Sequence, residues 1–172
     1  MGKDPRDALM DLVVADRAET SCIISIMNED DVRTAMRHPI VSFDTDSGAQ
    51  AEDGPLSESK SHPRAWGVFA RILGKYVRDE KVLTLEEAVR KSTSQAAIRV
   101  GIADRGLIRP GMKADIVVFD AAAVKDVATY EDPKHYSQGM RFVFVNGKPV
   151  VSEGAITENR PGEGLRGPGH RK

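Results

Sequence analysis

Val41-Ser-Phe-Asp-Thr-Asp-Ser-Gly48 is the stretch of sequence on which the fold assignment depends. A short apolar run leads into two carboxylates two residues apart, and residues i and i+2 of a β-strand project to the same face. Asp44 and Asp46 are therefore predicted to point together from the C-terminal end of a strand over 40–46. Catalytic carboxylates of (β/α)8 barrels lie at that end of the strands. The plainer interpretation is a solvated turn.

The residues before this stretch predict a βαβ unit. Residues 20–27 (TSCIISIM) are apolar and β-branched, which is typical of a buried strand. Asn28 caps a predicted helix over 29–37, which begins with acidic residues and is stopped by His38-Pro39. Ile40–Phe43 begins the next strand. Strand, helix and strand in close succession imply a parallel sheet.

Helices and a loop complete the N-terminal region. Asp4 caps a predicted helix over 5–17, residues 65–78 carry an apolar face at helical spacing, and Thr84-Leu-Glu-Glu87 is a capping box that begins another helix. Residues 47–63 are rich in Gly, Pro, Ser and Glu and predict a loop. A loop of this length within a compact domain is a functional lid or a disordered segment.

The pattern then changes to strands alone. Residues 114–119 (ADIVVF) predict a buried strand and residues 140–145 (MRFVFV) a half-buried one. Asn146-Gly147 predicts the turn of a β-hairpin. We therefore divide the chain into an α/β region over 1–100 and a β module over 101–172.

The composition excludes several classes of function. The 172 residues include 25 basic and 26 acidic side chains, and the net charge of -1 provides no general field to attract nucleic acid or an anionic membrane. No apolar run approaches the ~20 residues of a membrane helix, and the charged N-terminus is unlike a secretory signal. The single cysteine, Cys22, excludes an internal disulfide and fits a reducing compartment, so we expect a cytoplasmic protein.

Metal ligands are few. The four histidines are His38, His62, His135 and His170, and none stands in a paired metal-binding spacing. Cys22 has no cysteine partner. Since a catalytic zinc takes three protein ligands, we expect that this chain does not assemble a zinc site by itself.

Longer motifs resemble the N-acyl-D-amino-acid deacylases (D-aminoacylases) of the amidohydrolase superfamily. The segment RGLIRPGMKADIVVFD (105–120) is typical of the superfamily as a whole. More specific to the deacylases are HPRAWGVFARILGKY (62–76) and RPGEGLRGPG (160–169). The similarity extends over nearly the whole chain, including EDDVRTAMRHP (29–39) and SFDTDSGA (42–49).

The resemblance implies a zinc-dependent hydrolase that converts an N-acyl-D-amino acid to a carboxylate and a free D-amino acid. It also implies a (β/α)8 barrel joined to a β-sandwich. A complete barrel takes about 250 residues. This chain is therefore expected to supply the last strand-helix units of the barrel, near 21–27 and 40–46, and the C-terminal strands of the sandwich, with most metal ligands absent and no activity alone. The alternative is a non-catalytic fragment or assembly module that oligomerises or pairs with a separate chain carrying the metal site.

The resemblance also assigns two site residues. Asp46 matches the family's catalytic acid/base, which lies beside the metal, takes a proton from metal-bound water and delivers it to the leaving amine. Asp46 is therefore also a candidate metal contact. Arg64 matches the arginine that binds the substrate carboxylate, a role that suits a guanidinium fork. The plainer interpretation of Arg64 is a surface arginine at a helix start, where the helix dipole disfavours a cation.

Asp44 departs from the family, which often has glycine or another small residue at this position. A second carboxylate on the same face raises the proton affinity of one of the pair. It would tune the base, add a metal contact or damage the site, and the sequence leaves these alternatives open. His62 is expected to shape the loop, His135 to pack or hydrogen-bond within the β module, and Trp66 to lie in the core.

Overall fold

The structure is a computed structural model that describes residues 2–19, 24, 26–58 and 61–167. Contacts divide the chain into two compact units, residues 1–32 and 33–172. The α-helices of the described residues are Pro5–Ala15 (α1), Glu29–Arg37 (α2), Arg64–Arg71 (α3), Leu85–Ser92 (α4) and Ser94–Arg99 (α5). A 3-10 turn occupies Pro55–Ser57, and α3 continues directly into a π-helix over Ile72–Asp79.

The predicted helix caps are confirmed. Asp4 Oδ1 accepts the N–H of Arg6 at 2.9 Å at the start of α1, and Asn28 Oδ1 accepts the N–H of Asp31 at 2.9 Å at the start of α2. Thr84 Oγ1 accepts the N–H of Glu87 in α4 at 3.2 Å, as the capping box requires. These bonds satisfy donors that a helix leaves free in its first turn.

The β module forms one antiparallel sheet in the order β1-β2-β3-β4. Its strands are Ile116–Phe119 (β1), Met140–Val145 (β2), Lys148–Ser152 (β3) and Ala155–Ile156 (β4). Asn146 and Gly147 form the two-residue turn between β2 and β3 with φ angles of 49° and 78°. Two positive φ angles define the turn type that matches strand twist, so the predicted hairpin is confirmed.

The helix over α3 and the π-helix packs its apolar face, as its spacing predicts. Trp66, Ala70, Ile72 and Tyr76 are buried. Phe69, which stands three positions after Trp66 and was therefore expected on the same face, is exposed. The π-helix carries more residues per turn than an α-helix and so shifts the phase of the buried face along the element.

The two strands of the predicted βαβ unit are not present in the described residues. Residues 20–23 and 25 lie outside those residues, and Ile24, Ile26 and Met27 are exposed and belong to no strand. Residues 41–46 also have no regular secondary structure, so the strand predicted over 40–46 is wrong for this chain. A parallel strand takes its hydrogen bonds from neighbouring strands, and the one sheet of the described residues is antiparallel.

Lys91 of α4 supplies hydrogen bonds to the backbone that leads to Asp46. Its side chain is fully buried, and its Nζ donates to the carbonyls of Met36 and His38 at 2.5 Å each. The same Nζ lies 5.8 Å from the centroid of the Phe43 ring, within the range of a cation–π contact. Lys91 therefore satisfies the C-terminal carbonyls of α2, where the helix dipole favours a cation.

Two arginines extend this pattern along the chain. Arg90 Nη2 donates to the carbonyl of Pro39 at 3.4 Å, and Arg99 Nη2 donates to that of Ile40 at 3.2 Å. We call Arg90, Lys91 and Arg99 the carbonyl clamp. The clamp thus gives hydrogen-bond donors to the carbonyls of residues 36 and 38–40, at the end of α2 and in the residues that follow it.

In the part of the chain that the structure describes, no helix combines the length and apolar character needed to cross a membrane.

Candidate active site

The structure brings Asp46 and Arg64 into direct contact across 18 positions of sequence. Arg64 Nη2 lies 2.8 Å from Asp46 Oδ2 and donates to the Asp46 carbonyl at 2.9 Å. The side chains are 85% and 43% exposed for Asp46 and Arg64, respectively. An ion pair this open to water adds little to stability. What the contact fixes is the position of a carboxylate beside a guanidinium.

Asp46 has an unusual backbone conformation. Its φ is 46°, in the left-handed region that residues with a Cβ seldom adopt and that aspartate tolerates better than most. The Arg64 guanidinium binds the carbonyl of this residue. Non-glycine residues in this region cluster at functional sites. The backbone and the side chain of Asp46 are thus both bound by Arg64.

Asp44 does not share a strand face with Asp46, because the strand is absent. Asp44 Oδ1 instead accepts the N–H of Thr45 at 2.7 Å, and Asp44 is exposed. Thr45 Oγ1 donates to the carbonyl of Ser47 at 3.5 Å. The argument from strand geometry for a coupled pair of carboxylates therefore does not apply in this structure.

His62 contacts Arg64 through the backbone. Arg64 N donates to His62 Nδ1 at 3.0 Å, and the His62 ring meets the Tyr130 ring edge-on with centroids 5.0 Å apart. Partial burial lowers the pKa of His62 from its ordinary value near 6.5, and the charge of Arg64 lowers it further. His62 is therefore neutral at pH 7, as an acceptor at Nδ1 requires.

A segment of the β module, residues 124–138, packs against this site. Ser137 Oγ donates to the carbonyl of Trp66 at 3.0 Å, and the Trp66 indole donates to Ser61 Oγ at 2.9 Å. Lys134 Nζ donates to the carbonyl of Ser57 in the loop over 47–63. The similarity to the deacylases over nearly the whole chain was the sequence signal available for these contacts, and it assigned them no role.

Arg71 and Arg78 attach the same segment to the helix. Arg71 Nη1 donates to Asp126 Oδ2 at 3.0 Å, and Arg78 Nη1 donates to the carbonyl of Val124 at 2.6 Å. These bonds place Tyr130 and its neighbours beside the first turn of α3.

The described residues do not by themselves fit the zinc that the family resemblance implies. Among them, no three His, Cys, Asp or Glu side chains are grouped so that they could hold a metal ion. A catalytic zinc takes three protein ligands. His135 Nε2 pairs with Asp132 Oδ2 at 2.8 Å, in keeping with the local hydrogen bond expected of it, and Asp46 already faces a cation. Cys22 and His170 lie outside the described residues.

Comparison with known proteins identifies the family. Residues 7–151 match the Amidohydrolase family. The chain is 37% identical over 152 residues to the N-acyl-D-aspartate deacylase of Alcaligenes xylosoxydans xylosoxydans, an alignment that covers 88% of this chain and 29% of that protein.

Two solved structures are similar in fold and sequence. A D-aminoacylase with a binuclear metal center matches with a TM-score of 0.69 and 38% identity, over 77% of this chain and 27% of that one. The N-acyl-D-glutamate deacylase of Bordetella bronchiseptica, solved with zinc and a phosphonate mimic of the tetrahedral intermediate, has a TM-score of 0.65 and 41% identity. That match covers 72% of this chain and 25% of that one.

The chain thus spans less than a third of the length of these relatives. The similarity to D-aminoacylases predicted from the sequence motifs is confirmed, as is the presence of both helices and an antiparallel sheet. The chain belongs to the amidohydrolase family.

Proposed function

We propose that the complete gene product is a D-aminoacylase-like amidohydrolase, which hydrolyses N-acyl-D-amino acids to a carboxylate and a free D-amino acid. The observation that supports this function most directly is the contact between Asp46 and Arg64, at 2.8 Å. In an N-acyl amino acid, one carbon atom separates the carboxylate from the amide nitrogen. The residue that binds the carboxylate and the residue that protonates the nitrogen must therefore be neighbours.

Asp46 is the proposed acid and base. Amide hydrolysis needs a base to take a proton from water and an acid to protonate the leaving nitrogen, and one carboxylate can do both in turn. The side chain of Asp46 is 85% exposed, which leaves its carboxylate accessible to water and substrate. Its position beside Arg64 keeps it close to the substrate end that carries the nitrogen.

Arg64 is the proposed anchor for the substrate carboxylate. Its recorded contacts with Asp46 both use Nη2, whereas a guanidinium has five N–H donors on three nitrogens. Contacts through Nη2 alone therefore do not saturate it. A substrate carboxylate bound by the rest of the fork would gain charge-assisted hydrogen bonds without displacing Asp46.

We place this chain at the C-terminal end of the family's architecture. Residues 1–100 would belong to the (β/α)8 barrel, with residues 47–63 as a lid-like loop, and residues 101–172 to the β-sandwich. The antiparallel sheet and the likeness to D-aminoacylase structures support this division. Zinc would be bound in the complete, cytoplasmic protein by Asp46 together with ligands that the described residues do not supply, and it would act there as a Lewis acid.

The test uses the complete gene product and an N-acetyl-D-amino acid, with its L-enantiomer as the reference substrate. Asp46→Asn is expected to lower kcat by about 10²- to 10⁴-fold, since it removes general acid–base catalysis. Arg64→Met is expected to raise KM by about 10- to 100-fold through loss of a charged hydrogen bond. Arg141→Met is the matched control, because Arg141 is likewise an exposed arginine paired with a carboxylate, that of Glu153, at 2.8 Å. A near-normal rate in Asp46→Asn would contradict the assignment.

The second candidate is a non-catalytic assembly module. It is favoured by the lack of a three-ligand group among the described residues and by a segment 41–46 that joins no sheet within them. The zinc content of the purified protein and its oligomeric mass in solution distinguish the enzyme from the assembly module. Stoichiometric zinc with deacylase activity supports the enzyme, whereas a metal-free, inactive oligomer supports the assembly module.

A further inference from the structure

His62 is joined to the first turn of α3 by two hydrogen bonds. Its Nδ1 accepts the N–H of Arg64 at 3.0 Å, and its carbonyl accepts the N–H of Ala65 at 3.0 Å. The first N–H groups of a helix have no partner inside the helix. His62 thus supplies the acceptors for two of them, one through its ring and one through its backbone.

The ring acceptor has an electrostatic consequence for Arg64. A cation in the first turn of a helix is disfavoured by the partial positive charge of the free N–H groups. His62 Nδ1 accepts the backbone N–H of Arg64 itself. It thereby reduces the partial positive charge at the point where the Arg64 side chain leaves the helix. The bond also fixes the backbone of Arg64, from which the side chain reaches both the carbonyl and the carboxylate of Asp46.

The ring of His62 is in turn held by the β module. Tyr130 meets it edge-on with an interplanar angle of 80°, an arrangement favoured between aromatic rings. Tyr130 belongs to the segment 124–138, which the bond of Arg71 to Asp126 attaches to the same helix. A contiguous series of contacts therefore leads from the β module through His62 to Arg64.

We propose that His62 is a positioning residue that holds Arg64 in place for the substrate carboxylate, by accepting its backbone N–H at Nδ1 while Tyr130 fixes the ring. This inference rests on the proposed role of Arg64 as the carboxylate anchor. It gives His62 a role beyond shaping the loop, and it makes the β module a contributor to the geometry of the site. The lowered pKa of His62 is consistent with the role, because a protonated ring has no acceptor at Nδ1.

Three substitutions separate the acceptor from the ring. His62→Asn keeps an acceptor near the position of Nδ1, His62→Gln moves it away, and His62→Phe keeps a ring against Tyr130 but has no acceptor. In the complete gene product we expect His62→Gln and His62→Phe to raise KM for an N-acetyl-D-amino acid by about 2- to 10-fold, with kcat unchanged. His62→Asn should remain close to wild type.

Nuclear magnetic resonance supplies a readout that does not depend on turnover. In the 172-residue chain with ¹⁵N-labelled histidine, His62 should be the tautomer with the proton on Nε2 at neutral pH. In the same chain labelled with ¹⁵N-arginine, the guanidinium N–H signal of Arg64 should shift in His62→Gln and remain in place in His62→Asn. If His62→Gln and His62→Phe fail to fold, the tautomer of His62 in the unaltered chain decides whether Nδ1 accepts the N–H of Arg64.

The outcomes distinguish this inference from the proposed function. A proton on Nδ1, wild-type kinetics in His62→Phe, or a KM as high in His62→Asn as in His62→Gln would overturn the positioning role. An unaltered protein that hydrolyses no N-acetyl-D-amino acid would instead refute the proposed function, while the tautomer and the Arg64 signal would still test the contact with His62.

Discussion

The β module and the segment before Asp46 satisfy their backbones in different ways. In the β module, β2 and β3 pair through a two-residue turn, so each strand finds its partner within a few residues. Residues 36–40 have carbonyls bound by Arg90, Lys91 and Arg99, which lie more than fifty positions away. The module is organised by local pairing, whereas the segment depends on distant side chains.

The two regions also use cations differently. In the β module, the side chain of Arg105 is 10% exposed and contacts the carboxylates of Asp115 and Glu163 and the side-chain oxygen of Asn146. In the carbonyl clamp, the long-range acceptors are main-chain carbonyls, which do not titrate. The carboxylate beside the clamp is that of Glu87 on α4 itself, 2.6 Å from Arg90 Nη2 and 4.0 Å from Lys91 Nζ. The comparison teaches that acid should loosen the first region before the second, because protonation of Glu87 leaves the hydrogen bonds to the carbonyls in place.

The largest effect is expected where the β module is packed most tightly. Gly139 has φ +86°, and a Cβ added there would lie 2.6 Å from the backbone of Val124. Gly139→Ala should lower the free energy of unfolding by about 2–5 kcal/mol, from backbone strain and overpacking together. Gly111→Ala is the matched control, since its φ is +85° with open space around it, and it should cost about 1–2 kcal/mol. Equal losses in denaturant unfolding would refute the packing argument.

The carbonyl clamp is tested by Lys91→Met, which keeps the apolar volume but removes the donor. The buried carbonyl of Met36 and the partly buried carbonyl of His38 then lose their partner, although the cost of burying a charge is also removed. We therefore expect the free energy of unfolding to fall by about 1–3 kcal/mol. Amide hydrogen exchange should increase over 38–46. Arg90→Met is the comparison within the clamp. It removes an exposed donor whose bond to Pro39 is 3.4 Å long, and it should change stability by about 0.5 kcal/mol or less.

The clamp should also have a distinct response to alkaline pH. Burial lowers the pKa of Lys91 from its ordinary value near 10.5, so the unfolded chain binds this proton more readily than the folded one. Stability should therefore rise as pH increases from the lowered pKa towards 10.5, and Lys91→Met should lack that rise. If Lys91→Met shows the same rise in stability with pH, the rise belongs to a titratable group other than Lys91.

The smallest effect is expected at the carboxylates of the β module. Burial raises the pKa of Asp115, but the N–H of Asn146 and the Arg105 guanidinium more than offset it, so the pKa lies below its ordinary value near 3.8. The resulting stability is present above that value and is lost as pH falls through the lowered pKa. Asp115→Asn should cost about 1 kcal/mol at pH 7, because water screens a side chain that is 33% exposed.

The control and the readout at acid pH separate the two regions. Glu163→Gln, on the exposed partner of Arg105, should change stability by about 0.5 kcal/mol or less. Hydrogen exchange below pH 4 should increase over β2 and β3 before it increases over 36–40. The opposite order would contradict the contrast between titrating and non-titrating acceptors.

Features whose partners lie close in sequence could be predicted. Asp4, Asn28 and Thr84 cap their helices within three residues, and Asn146-Gly147 forms its turn without distant help. The strand over 40–46 could not be judged in the same way, since its apolar run is suited to a strand only when neighbouring strands are present. The same limit explains why Asp44 and Asp46 do not share a strand face in this structure.

The sequence by itself determined the caps, the hairpin, the apolar face of α3 and membership of the amidohydrolase family. The reason is that these features depend on residues close together in the sequence or on the identity of the motif residues themselves. Only the tertiary structure decided that Arg64 binds Asp46, that His62 accepts the N–H of Arg64 beside Tyr130, and that the carbonyl clamp binds the residues that follow α2. Most of these contacts join groups far apart in sequence. Their formation depends on how the helices and the β module pack, since a side chain's range of positions is set by the element that carries it.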